Sequence, residues 1–165
     1  MQTSTTPEQA GATAGRASEL TYYVFEGVLA GILNGTSVSI SAVSGGGAGS
    51  KVHPPNAAMN NPYMYSLKEV KGRAGLRGGP IPLGRFKIAT PAPHGHLGLA
   101  ARLTPETPMP NHRGGFFIHG RGPLGSDGCI VPMAAHDFQK IMQGLRLTHG
   151  GLLYVRETMD GSRFA

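Results

Sequence analysis

Phe116-Phe117-Ile118-His119-Gly120, followed after five residues by Ser126-Asp127-Gly128-Cys129-Ile130-Val131, is the stretch on which the reading of this chain turns. Cys129 is the only cysteine among 165 residues, and it stands ten positions after a histidine that ends an apolar run. Both runs are short, rich in aromatic or β-branched residues and bounded by glycine, which is the pattern of buried strands. Ser126-Asp127-Gly128 is turn-prone, so the cysteine opens its element at an edge. A thiol nucleophile needs a base or cation to ionise it and a backbone that leaves the sulfur accessible. His119 can supply the first and the neighbouring glycines the second. The pair therefore reads as a cysteine acyl-transfer site, against the plainer reading of Cys129 as a small buried hydrophobe.

Downstream the period changes. Phe138, Ile141, Met142 and Leu145 fall at i, i+3, i+4 and i+7, which predicts an amphipathic helix from near Met133. Gly150-Gly151 ends it, and Leu152 to Arg156 reads as a last strand. Upstream, Thr21 to Phe25 and Val28 to Leu33 read as strands around Gly27. Asn34-Gly35 is a hairpin signal, and Thr36 to Val43 alternates as the next strand. Gly84 to Thr90, Leu97 to Leu103 and Gly128 to Val131 complete the strands. The expected fold class is mainly β with one helix after the cysteine. Residues 1–18 read as a flexible leader rich in Thr, Ala, Gly and Ser, and 19–165 as one catalytic domain. Residues 51–80 are irregular, and so long a loop in a compact domain is usually functional.

Composition narrows the functional classes. With 26 glycines and 13 prolines but only 15% charged residues, the chain is turn-rich and strand-dominated. Tryptophan is absent and aromatics make up 7%, which argues against the stacking platforms of single-strand nucleic-acid binders. The net charge of +6 is spread thinly, and its densest cluster, Lys68, Lys71, Arg73 and Arg77, reads as a solvated loop face. A basic cleft also suits an anionic substrate carrying free carboxylates. No run reaches the 18 or so apolar residues of a membrane span. Met1 to Ser18 lacks the basic and apolar regions of a secretory signal.

Other candidates are weaker. Ser44-Gly45-Gly46-Gly47-Ala48-Gly49-Ser50 has no Lys-Ser/Thr pair to close a phosphate cradle. His94 and His96 alternate as ligands on a strand would, but no zinc-like spacing accompanies them, and they read as loop histidines. His112, in a Pro-Asn-His-Arg-Gly-Gly loop, is a candidate to reach the site. His136 and His149 follow the cysteine and keep open a hydrolase in which cysteine precedes histidine. A non-enzymatic binding module with a buried cysteine is the other alternative.

The His-Gly and Ser-x-Gly-Cys-Ile blocks resemble the catalytic signature of L,D-transpeptidases of the YkuD type. Together with Ser44-Gly45-Gly46-Gly47, Asn60-Asn61-Pro62 and Gly79-Pro80-Ile81-Pro82-Leu83-Gly84-Arg85-Phe86, they resemble one branch in particular, the L,D-transpeptidase-like toxins delivered by type VI secretion. The resemblance implies a β-sandwich-like fold in which Cys129 attacks the third residue of a peptidoglycan stem and His119 is its base or imidazolium partner. Backbone N–H groups of Gly128 and Cys129 would form the oxyanion hole, and Ser126 and the Gly120 backbone would hold the imidazole. The helix after Cys129 would bring its positive end near the thiol. Asp127 stands where the family has histidine. Pro132 falls where an arginine is usual, which leaves Arg113, Arg121 and His112 as candidates for binding the substrate carboxylate. The resemblance further implies no metal or organic cofactor, a cognate immunity protein, a type VI carrier, no nucleic-acid partner, and action in the periplasm of a target bacterium without a signal peptide.

Overall fold

A computed structural model of the chain describes residues 17–44, 80–108, 114–120 and 128–161. The described residues form strands, with one α-helix near their end. Strand β1 spans Ser18–Tyr23, β2 Val28–Leu33, β3 Thr36–Ser44, β4 Gly84–Ile88 and β5 Ala92–Pro93. A 3₁₀ turn at Gly95–Leu97 leads to β6 (Leu99–Pro105), then β7 (Phe116–His119) and β8 (Ile130–Pro132). The helix α1 (Ala135–Leu147) and strand β9 (Gly151–Arg156) follow.

Alternation makes the strands. Along β3, Val38, Ile40 and Ala42 are buried while Ser37, Ser39 and Ser41 face solvent, the period-two pattern of a half-buried strand. Asn34 and Gly35 form the two-residue turn into β3. Their φ angles of 48° and 78° are the paired left-handed values that match the twist of a hairpin. β1, β2 and β3 therefore form an antiparallel meander with Leu33 opposite Thr36.

Two parallel pairings then join distant parts of the chain, β1 with β9 and β7 with β8. In spatial order the strands run β4, β9, β1, β2, β3, β8, β7, β6, and β6 pairs back onto β4. Eight strands thus close into one hydrogen-bonded circuit, which removes the unpaired edges an open sheet would present. β5 continues the arm of β4 along β6, with Ala92 opposite Ala100.

Residues from all around the circuit, among them Leu20, Tyr22, Leu29, Phe86, Leu103, Phe116, Ile118, Ile130 and Leu153, pack as one core. Phe86 and Phe116 meet edge to face, their ring centroids 5.9 Å apart. Tyr22 is fully buried, and burial pushes its phenol far above the ordinary range, so it stays protonated and donates to Ala42 O. Ser44 closes another seam: its Oγ accepts the Ile81 N–H at 2.8 Å and ties the end of β3 to the approach of β4.

Helix α1 covers the end where β2 and β7 finish and β1 and β9 begin. Ile141, Met142 and Leu145 are buried, and Gly144 lies against Leu33. Ser18 Oγ accepts the Asn34 N–H at 3.1 Å and lies 2.8 Å from Thr148 Oγ1, so one buried hydroxyl joins β1, the hairpin turn and the end of the helix. β1 thus begins at Ser18, the last residue expected in the leader. The other bounds move by a few residues. The helix starts at Ala135, not near Met133, β6 begins at Leu99, not at Leu97, and Gly128 and Cys129 precede β8. β5 is too short to leave a periodic signal. The long irregular segment at 51–80 lies outside the described residues except for Pro80.

Candidate active site

β7 and β8 run parallel with Ile118 opposite Ile130. His119 follows the first of these and Cys129 precedes the second. Side chains alternate across a strand, so both leave on the face opposite Ile118 and Ile130. Strand spacing of about 4.8 Å and two steps of about 3.3 Å put their Cα atoms about 8 Å apart, a diagonal that two side chains can bridge. Ala100, His119, Cys129 and Val131 are all buried, yet none belongs to the core cluster. They form a small covered layer on the outer face of the circuit.

His119 is oriented by its own chain. Its Nδ1 lies 2.7 Å from Gly120 O, so Nδ1–H donates to that carbonyl and Nε2 keeps its lone pair. Burial holds the imidazole below the usual histidine range; the Gly120 hydrogen bond works against this, and the nearby charge of His96 adds to it. An imidazole held neutral, with Nε2 left as the acceptor, is suited to take a proton. Cys129 Sγ is 3.7 Å from Gly115 O, toward which the thiol donates.

The backbone around the sulfur is equally constrained. Gly128 has φ 110°, a conformation that side chains on an L-residue rarely adopt. Its N–H and that of Cys129 sit at the turn into β8, where an oxyanion hole would need its donors. Gly120 is held against α1, and a Cβ there would lie 3.5–3.7 Å from the Phe138 ring. β8 and the turn at Met133 and Ala134 separate α1 from Cys129, and the first turn of the helix abuts Gly120 instead.

An apolar recess of about 270 Å³ adjoins this corner, lined by Leu99, Phe138 and Met142 with Gln139, Gln143 and Arg146 around them. Leu99 precedes Ala100, the register partner of His119, and Phe138 contacts Gly120. His94 lies on the turn between β5 and β6. Its ring packs on Phe117 with centroids 4.7 Å apart. Histidines 94 and 96 thus sit on the β5–β6 turn beside His119, which only the β6–β7 register reveals. His136 pairs with Asp137 at the start of α1, 3.3 Å apart, and His149 follows its end. Ser126, Asp127, Arg113, Arg121 and His112 lie outside the described residues. Among the described residues, no cluster of His, Cys, Asp and Glu is arranged to hold a metal, and no helix is long and apolar enough to cross a membrane.

Neither the protein-family models nor the curated proteins give a match to this chain. Among solved structures, the chain is similar to the helical cell shape determining protein Pgp2 from Campylobacter jejuni. The TM-score is 0.53 at 13% identity, covering 87% of this chain and 48% of that one. An L,D-transpeptidase from Mycobacterium smegmatis superposes with a TM-score of 0.47 at 13% identity, over 86% of this chain and 59% of that one. This chain spans about half the length of the Pgp2 structure. What it shares with Pgp2 is the fold.

Proposed function

We propose that this protein is a peptidoglycan-editing enzyme of the L,D-transpeptidase type, using Cys129 as nucleophile on stem tetrapeptides. The observation that supports the reading is the placement of His119 at the end of β7 and of Cys129 immediately before the parallel strand β8. The imidazole is buried and neutral, with its Nδ1 proton committed to Gly120 O. A fold shared with a cell-shape-determining protein supports a cell-wall substrate.

In this mechanism Nε2 of His119 takes the thiol proton as Sγ attacks the carbonyl of the third stem residue. Backbone N–H groups at Gly128 and Cys129 receive the developing oxyanion, and each such donor is typically worth about 100- to 1000-fold in rate. The tetrahedral intermediate collapses with cleavage of the amide, and His119 returns the proton to the departing D-alanine amine. Water then resolves the thioester to a tripeptide, or a D-amino acid takes the fourth position. Ser126, Asp127, Arg113, Arg121 and His112 remain the proposed supporting and substrate-binding groups. Depletion of tetrapeptide donors accounts for a toxin. The sequence resemblance further assigns the protein to type VI delivery, with a carrier, an immunity protein and a periplasmic site of action.

Purified tetrapeptide muropeptides, incubated with and without D-methionine and weighed, test the chemistry. Tripeptide and D-methionine-exchanged products should appear together and vanish together in Cys129→Ala. Cleavage of the glycan, or of the amide joining glycan to stem, would refute the assignment. Expression in the cytoplasm against export to the periplasm tests the place of action, and equal toxicity from the two would reject it.

A further inference from the structure

We propose that Phe138, on the first turn of α1, is a positioning residue for His119: its ring packs on Gly120 and holds the carbonyl to which the imidazole donates. The proposal goes beyond the acyl-transfer reading and rests on it only for the substrate of the kinetic test. Phe138 belongs to the apolar spacing that marks the helix in the sequence, and that spacing alone would assign it to the core.

Three observations converge on this ring. The first is contact. A Cβ built on Gly120 would lie 3.5, 3.6 and 3.7 Å from Cε1, Cδ1 and Cζ of Phe138, so one edge of the ring covers that residue at van der Waals distance. The second is what Gly120 does. His119 Nδ1 lies 2.7 Å from Gly120 O, and this bond leaves Nε2 as the acceptor. The β6–β7 ladder ends at the pair of Ala100 with His119, so Gly120 lies past the last strand pairing, where a glycine has the widest choice of φ and ψ. A ring packed on it narrows that choice. The third observation is how the ring itself is held. Phe138 and Leu99 are partly buried and pack against the core, and the Phe138 N–H donates to Ala134 O at 3.0 Å. One turn further on, Ile141 and Met142 are buried. The core thus sets the place of the ring, and one peptide group passes it on to the imidazole.

Phe138 also lines the recess of about 270 Å³, together with Leu99 and Met142. Truncating the ring would join that space to Gly120, and the peptide could then turn its carbonyl away from the imidazole. Without that acceptor the proton can sit on either ring nitrogen. A histidine with its proton on Nε2 has no lone pair there to take a proton from a thiol. General-base help is worth about 100- to 10,000-fold in rate, so a partial loss of the right tautomer should appear in kcat and spare substrate binding. Phe138→Leu keeps an apolar side chain on the core but removes the flat edge. Met142 supplies the control. It is buried and lines the same recess from the same helix, yet the three atoms nearest a Gly120 Cβ all belong to Phe138.

Two measurements test this, one of them independent of catalysis. Nitrogen–proton correlation spectra of the histidine rings, recorded at about pH 8 where a free imidazole is neutral, report which nitrogen carries the proton. His119 is identified by the signals lost in His119→Gln. Its proton should sit on Nδ1 in the unaltered protein, and Phe138→Ala and Phe138→Leu should shift it toward Nε2. Met142→Ala, which also removes buried volume from α1, should leave the tautomer unchanged. Where Phe138→Ala fails to fold, Phe138→Leu carries the test. In tetrapeptide trimming, Phe138→Leu should lower kcat by about tenfold with KM changed less than about twofold, and Met142→Ala should change neither by more than about twofold. An Nδ1 proton retained in Phe138→Leu, an equal shift in Met142→Ala, or an unchanged kcat in Phe138→Leu overturns the positioning role. A tautomer shift confined to the Phe138 variants, in a protein that leaves tetrapeptides untouched, upholds that role and refutes the peptidoglycan reading instead.

Discussion

Helix α1 is seated by one close contact, and its energetics can be worked through. A Cβ added at Gly144 would lie 2.4, 2.6 and 2.7 Å from Cγ, Cδ1 and Cδ2 of Leu33, a side chain only 4% exposed. In an α-helix, alanine gains about 1 kcal/mol over glycine. Forcing a methyl into a packed core costs about 1–3 kcal/mol. Gly144→Ala should therefore be neutral to destabilising by about 2 kcal/mol. Leu33→Ala alone should cost about 2–5 kcal/mol, for lost burial and the cavity left behind. The double variant removes the same three carbon atoms that the new methyl would strike. In that background Gly144→Ala should stabilise by about 1 kcal/mol, the propensity gain without the clash, so its effect changes sign. Urea unfolding of the four proteins, with the slope checked for constancy, gives the coupling directly. An equal cost of Gly144→Ala in both backgrounds would refute the packing argument.

Four further outcomes follow from residues already placed. Gly120→Ala should fold and remain active, because its Cβ makes only ordinary contact with Phe138 and the carbonyl that orients His119 is kept. Gly128→Ala, at φ 110°, should lose about 1–3 kcal/mol by thermal denaturation. Ser44→Ala should cost about 1–3 kcal/mol in urea, because the Ile81 N–H loses its buried acceptor; a change under about 0.5 kcal/mol would contradict this. His119 has a proton affinity lower in the folded than in the unfolded chain, so the unfolded state protonates first as pH falls. Stability should be fully present above about pH 6.5 and decline below it, and His119→Gln should flatten that decline in a pH series of unfolding midpoints.

The legible parts of this protein were local ones. Asn34-Gly35 announces its hairpin because only a paired left-handed turn joins two such strands, and the spacing of Phe138, Ile141, Met142 and Leu145 announces α1. Short apolar runs on either side of His119 and Cys129 disclosed β7 and β8, although Gly128 and Cys129 proved to precede the ladder. What the sequence could not disclose is pairing between distant strands. Nothing in Ser18 to Tyr23 says that it lies beside Gly151 to Arg156, and nothing near Leu103 says that β6 returns to Ile88. The same ignorance hid His94 and His96. They read as loop histidines and do lie at a turn, but only the β6–β7 register sets that turn at the end of β6 that pairs with His119.

The closing strand sets a condition on how the chain can be made. β9 pairs with β1 on one side and β4 on the other, so both remain raw edges until the last strand arrives. A nascent chain emerging from the ribosome holds the His119 and Cys129 strands before the segment that seals the circuit. Assembly of this domain therefore waits for β9 and is slow, because the β1–β9 contacts join positions more than a hundred residues apart. A chain stopped before Gly151 would carry Cys129 and His119 together with two unpaired sheet edges, and would be expected to aggregate.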